Sequence, residues 1–318
     1  MALRYRARMS ITRASALVLG WLLLGGCNDV EQPAVAPTPL KPLVFASNPP
    51  LASFVRVLAE DAIELTTPWK SVDGDPAYWK PTVADIRAIQ ACDLVVLNGA
   101  GYEPWSEQAA LSHSRTIDTT AALSAQLIHE KSETHTHGPV GAHAHAPTAF
   151  TTWLSPELAS MQATVIAERL TQLLPERASE IRQQLALLHA ALHESEVQLR
   201  AIAERQPRWL ASHPVYQYLA QGSGLVIDSV HWEPNEMPSD EQWAALRALQ
   251  SAKGDATRMM LWEGEPDAAI RAKLTGLGIV IVVFPPLGSS DNSAEFAQSF
   301  VASLQEMRQA CDELDRAR

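Results

Sequence analysis

Between Pro175 and Pro207 the chain carries one unbroken stretch, 176–205, in which Ile181, Leu185, Leu188, Leu192, Leu199 and Ile202 recur at intervals of three, four and seven. That spacing lays an apolar stripe along one face of a helix, and the two prolines punctuate its ends. Periodicity alone also admits two helices of one core, but the length favours a single rod. A rod bends less than the two or three loose strands that hinge many two-lobed proteins, so any closure of the flanking bodies is expected to be limited.

On both sides of the rod, short β-branched or aliphatic runs alternate with helical stretches, the pattern of an α/β fold. Strands are expected at 43–47, 62–67 and 94–98, with helices at 51–59 and 83–92. After the rod, strands are expected at 209–212, 225–230, 259–263 and 279–284. Helices are expected from Val215, at 240–250, at 266–274 and, as a long final element, from Ala294. The expected organisation is thus two α/β lobes, 42–175 and 207–318, joined by one long backbone helix over 176–206.

The N-terminus reads as an export signal. Residues 1–26 carry Arg4, Arg6, Arg8 and Arg13 and no acid, followed by an apolar run at 16–24 that is too short for a stable membrane span. Leu24-Gly25-Gly26-Cys27 resembles a bacterial lipobox, which makes Cys27 the expected lipid attachment site and the periplasm or cell surface the expected location. Asn28 stands where an aspartate would favour inner-membrane retention, so outer-membrane sorting is expected if the cell has two membranes. Residues 27–41, with Pro33, Pro37 and Pro39, read as a flexible tether. Only Cys92 and Cys311 remain as thiols, either as two buried side chains or as a pair in an oxidising compartment.

The chain is 47% hydrophobic and 19% charged, a balance that supports buried cores. Its formal net charge of −11 becomes four units more negative once residues 1–26 are removed. Such acidity excludes a DNA-binding role, which needs basic faces, and suits a soluble protein that handles cations or neutral ligands.

Within the first lobe, 133–147 holds two His-x-His pairs, His135/His137 and His143/His145, on a loop bearing Gly138, Pro139 and Gly141. Four neutral imidazoles so close together could satisfy a zinc ion, although a mobile loop binds more weakly than a rigid site. A solvated insertion with no fixed role is the alternative.

Several short motifs follow one another along the chain: Asp75-Pro76-Ala77-Tyr78-Trp79-Lys80-Pro81-Thr82 with Asp85-Ile86, then 93–99, Trp153-Leu154-Ser155-Pro156, Ser212-His213 with Tyr216 and Tyr218-Leu219, Glu236-Met237-Pro238-Ser239, and Pro286-Leu287-Gly288. In their order and spacing the chain resembles the zinc/manganese-type periplasmic substrate-binding lipoproteins of bacterial ABC importers. The resemblance implies a metal-receptor type of binding protein, a monomer that is not an enzyme. It further implies a divalent metal, zinc foremost, as cargo and a membrane permease as partner. It also implies a metal site between the lobes, two histidines from the first and a histidine or glutamate plus an aspartate from the second. Here Ala77, Thr151 and Pro285 stand where three of those ligands would be, and only His213 survives.

One imidazole does not make a specific zinc site. The lost donors could come from His143 or His145 folding back beside His213, with Glu233, Glu236 or Glu263 as acidic partner. Glu236, in a Pro-Ser turn, reads more readily as a helix cap or a permease contact. Trp79, Trp105, Trp153, Trp232 and Trp262 fall in or beside the same motifs and either wall a cleft, with Trp79 and Trp153 as its lining, or pack the lobes together. A degenerate family member that binds another solute or a protein through such an aromatic cleft is the competing reading. Hydrolysis through His213 is disfavoured, since no Gly-x-Ser-x-Gly or His-Glu-x-x-His motif is present.

Overall fold

The computed structural model describes residues 40–71, 76–129, 134–136, 142–144, 148–232, 236–253, 258–286 and 296–316. The expected export signal, lipobox and most of the tether lie outside them. Residues Lys41–Arg318 form one compact unit.

The rod forms as α4, Ala178–Glu204, entered through a 3-10 turn at Pro175–Arg177. Pro175 suits that entry because its missing N–H is one that a helix start leaves unpaired. Ile181, Leu188, Leu192, Leu199 and Ile202 are buried along one stripe, whereas Leu187 faces outward. The stripe packs against α1 (Pro49–Ala59) and α3 (Pro156–Leu173) on one side, and against α5 (Gln217–Ser223) and α8 (Phe296–Arg316) on the other. At its C-terminal end Arg205 forms ion pairs with Asp312 and Asp315 of α8. α3 is an addition to the expected elements. Much of its buried face is Ala159, Ala163 and Ala167, which carry little hydrophobic signal.

The first lobe holds β1 (Leu43–Ala46), β2 (Glu64–Thr66), β3 (Leu94–Leu97) and β4 (Thr116–Asp118) in the parallel order β2-β1-β3-β4. Helix α2 (Val83–Gln90) starts at a reciprocal cap in which Thr82 Oγ1 accepts from the Asp85 amide and Asp85 accepts from the Thr82 amide. An antiparallel pair, β5 (Thr134–Thr136) and β6 (Ala142–Ala144), follows β4 along the chain. The second lobe holds β7 (Arg208–Ala211), β8 (Val226–Ser229), β9 (Met259–Trp262) and β10 (Val280–Val283), again parallel, in the order β10-β9-β7-β8. Helices α6 (Asp240–Lys253) and α7 (Ala268–Gly276) complete it. Counted along the chain, both sheets run second, first, third, fourth. Each therefore reverses direction of winding between its first and third strands, the place where α/β sheets open a crevice at their C-terminal edge.

The strands stop one residue earlier than expected. Ser47, Asn98, Ser212, Glu263 and Phe284 fall beyond the strand ends and line the C-terminal rims. Inward alternation divides the second lobe's sheet between two cores. Trp209, Ala211, Met259 and Leu261 face the core shared with α4 and the first lobe, while Leu210, Met260 and Trp262 join Trp232, Trp243, Ile270 and Leu274 on the far side. Cys92 and Cys311 are separate buried thiols, so the pairing alternative does not form, and burial pushes each thiol up to about 11.

Leu192, fully buried on α4, should cost about 2–5 kcal/mol of stability when changed to alanine. Leu187→Ala on the outer face should stay within about 0.5 kcal/mol of the parent. Urea unfolding of the two variants tests whether the rod is held by its stripe; equal losses would contradict that.

Candidate metal centre

Strand register builds the rim of the second lobe. Ala211 of β7 pairs with Ser229 of β8 on one side and with Leu261 of β9 on the other. The ladder continues past the strand ends, with the Ser212 amide donating to Leu261 O (2.9 Å), Val230 to Ala211 O (2.9 Å) and Trp232 to Ser212 O (2.8 Å). Two residues beyond the matched positions stand His213, His231 and Glu263; the bond from Trp232 to Ser212 O steps the β7–β8 ladder by one residue there, and their side chains nevertheless meet. His213 Nδ1 lies 3.3 Å from Glu263 Oε1, and the His213 and His231 rings meet edge to face with centroids 6.1 Å apart.

The His213 and Glu263 side chains are 17% and 26% exposed, buried enough to hold an orientation and open enough to meet a solute ion. A neutral imidazole whose Nδ1–H points at a carboxylate carries its lone pair on Nε2, the arrangement that prepares histidine for a metal. Below the rim, burial first and the Glu263 charge second push the Tyr216 hydroxyl well above its usual range, and it donates to Phe284 O at 2.6 Å. His213 and Glu263 sit over β7 and β9, the two strands flanking the reversal of winding.

His231 was not among the expected site residues. Its signal was the repeat of one pattern, a histidine two residues past a strand in both Ser212-His213 and Val230-His231, hidden because both strands were expected to run on. Glu236 is exposed and does not cap α6. Ser239 and Gln242 do so, the Gln242 amide donating to Ser239 Oγ and the Ser239 amide to Gln242 Oε1. Of the loop histidines, the backbone register sets His135 opposite His143 in the β5–β6 pair. His137, His145, Glu233 and Cys27 lie outside the described residues. Among the described residues no three His, Cys, Asp or Glu side chains form a ready-made metal group.

A family model described as the zinc-uptake complex component A, periplasmic, matches residues 44–311. The chain belongs to this family. The zinc-uptake protein ZnuA of Bacillus subtilis, a high-affinity system component, is 25% identical over 209 residues, which cover 62% of this chain and 64% of that relative. The match thus spans less than two thirds of its length. The metal-dependent lipoprotein YcdH of Bacillus subtilis superposes with a TM-score of 0.71 at 19% identity, over 85% of this chain and 99% of that one. The zinc-bound ZnuA-like domain of Streptococcus pneumoniae AdcA gives 0.68 at 19%, over 85% and 98%. At such identities the superpositions speak for the fold.

At the positions where the resemblance implies ligands, the side chains present make other contacts. Thr151 is buried and its hydroxyl donates to Val215 O across the lobes at 2.7 Å, two residues from His213. Trp153 Nε1 donates to Pro286 O at 2.6 Å, beside the Pro285 position, and Tyr218 OH donates to Ala149 O at 2.9 Å. Ala77 is a buried methyl in the 3-10 turn Pro76–Tyr78. The lobes are thus joined by direct hydrogen bonds where the family resemblance implies ligands. Trp79 and Trp153 are buried, at 7% and 1%, so they pack rather than wall an open cleft. Trp79 stacks on Phe45 and meets Trp105 edge-on, and Trp232 and Trp262 belong to the far core of the second lobe.

The equivalent rim of the first lobe is filled by the protein itself. Glu103, 5% exposed, accepts from the Asn98 amide (2.6 Å) and the Gly99 amide (3.0 Å) at the end of β3. Gln162 Nε2 donates to Asn98 Oδ1 and Thr119 Oγ1. Gly99 is required here: its φ is +80°, and a Cβ would stand 1.9 Å from Asp118 Oδ1. Burial pushes the Glu103 carboxyl up to about 7, against the hydrogen bonds from Ser47, Asn98 and Gly99 that favour its ionised form. The unfolded carboxyl ionises at its ordinary 4.5, so between those values the folded state holds a proton that the unfolded state has lost. The contribution of Glu103 is fully present below about 4.5 and falls as pH rises to about 7. Glu103→Gln, which has one acceptor fewer, should be less stable throughout but should lose this downward slope in urea midpoints measured across that range. An unchanged slope would assign it to another group.

Proposed function

We propose that the protein is the extracytoplasmic solute-binding component of a metal ABC importer, capturing a divalent transition metal, zinc foremost, and delivering it to a membrane permease. The observation that carries this reading is the His213–Glu263 pair at the C-terminal edge of the second lobe's sheet, where winding reverses and α/β folds bind their ligands. A histidine held by a carboxylate through one ring nitrogen is the common form of a zinc ligand and its outer support. Membership of the zinc-uptake family and the acidic net charge of −11 support the same reading.

Cys27 carries the lipid in this proposal, residues 27–41 tether the folded unit to the membrane, and the first lobe spans 42–175, the link 176–206 and the second lobe 207–318. His135, His137, His143 and His145 gather metal at the periphery, a role to which the opposed register of His135 and His143 lends support. The protein acts as a monomer and performs no chemistry on its cargo. The competing reading, an aromatic cleft for another solute, finds less support because Trp79 and Trp153 are buried.

Calorimetry on the mature, untagged, chelator-stripped chain should detect zinc binding, with loss of affinity on His213→Ala. Absence of heat with zinc, nickel, copper and manganese alike would overturn the reading. For the anchor, Cys27→Ser should move the protein from the membrane to the soluble fraction.

A further inference from the structure

The second lobe aligns two imidazoles, not one. His213 follows β7, the strand bonded to both β8 and β9; Glu263 after β9 lies beside it on one side, and on the other, where the ladder steps by one residue so that Trp232 N–H donates to Ser212 O, His231 after β8 meets its ring. Two rings bound to one tetrahedral zinc through Zn–N bonds of about 2.0–2.1 Å have centroids roughly 5 Å apart. The observed 6.1 Å and the edge-to-face angle of 83° are a small side-chain rotation away from that arrangement. The His231 carbonyl accepts from Gln242 Nε2 at 3.1 Å, which fixes the backbone from which the ring departs.

We infer that His213 and His231 together form a two-imidazole site for a nitrogen-preferring divalent cation, with Glu263 as the residue that positions His213. This rests on the reading that the protein captures a divalent metal, and it names the side chains that hold it. All three come from the second lobe. The first lobe meets the same rim through Thr151 on Val215 O and Trp153 on Pro286 O, bonds that neither require a metal nor supply one with a donor. Metal binding is accordingly uncoupled from the contact between lobes.

The donor set fixes the class of ion. Imidazole nitrogens suit zinc, nickel and copper, whereas manganese, calcium and magnesium prefer oxygen-rich shells. Two protein nitrogens fill half of a tetrahedral shell, and water or donors that arrive with the metal take the other positions.

The test uses the mature, untagged chain with His135, His137, His143 and His145 changed to serine, so that the loop supplies no nitrogen. Zinc and manganese are titrated by calorimetry into this chain and into its His213→Ala, His231→Ala, His231→Gln and Glu263→Gln derivatives. Zinc affinity should fall on the order of tenfold or more for each histidine change and by about 10–100-fold for Glu263→Gln, with manganese giving no heat. In the chain with all its histidines, NMR of the ring nitrogens should show both His213 and His231 shifting as zinc is added, a readout that does not depend on any variant folding. If zinc binds but the His231 nitrogens stay put, or if the loop-serine chain binds no zinc while the parent does, the inference is wrong and the metal-capture reading stands. If the parent chain binds none of the metals, both fail.

Discussion

The apolar stripe of α4 is the constraint on which the remainder of the structure depends. Ile181, Leu188, Leu192, Leu199 and Ile202 present one continuous face, and no single lobe covers it. α1 and α3 from the first lobe and α5 and α8 from the second share the task, so the core that starts at Val44 and Phe54 continues through Leu192 to Trp209 and Phe284. Burial of that length of helix is the favourable term that fixes the lobes against one another. The hydrogen bonds of Thr151, Trp153 and Tyr218 across the same boundary add orientation, because each joins a specific donor to a specific carbonyl.

Once the lobes are set, the two sheets offer equivalent rims and use them differently. Both have the same winding and both reverse between their first and third strands. In the first lobe the rim is closed by Glu103, Asn98, Gln162 and Thr119, a buried network that satisfies its own donors and acceptors. In the second it carries His213, His231 and Glu263, partly exposed and arranged around ring nitrogens. One rim is closed by its own hydrogen bonds, and the other presents two imidazoles and a carboxylate. Where the resemblance implies first-lobe ligands, Ala77 is a buried methyl group and Thr151 a hydrogen-bonded link between lobes.

The sequence carried the two-lobed α/β plan because long apolar runs and a sustained helical period survive any tertiary context. Leu94-Val95-Val96-Leu97 and Met259-Met260-Leu261-Trp262, short apolar runs of the kind that parallel strands covered on both faces carry, form such strands. Elements with weak signals were missed: β4 is three residues long, and α3 buries alanines. His213 was legible through its motif, and Glu263 as an acid at an expected strand end. His231 was not.

What the residues determined by themselves is local: which stretches are apolar and where turns fall. What only the folded chain decided is adjacency. His213, His231 and Glu263 are separated by 18 and 32 positions along the chain, and nothing in their neighbourhoods states that β7 lies between β8 and β9. Parallel pairing sets that order, and a register shift of one residue on any strand would turn its side chain to the other face. The grouping is therefore a property of strand order, which sets the ends of β8 and β9 on either side of the end of β7.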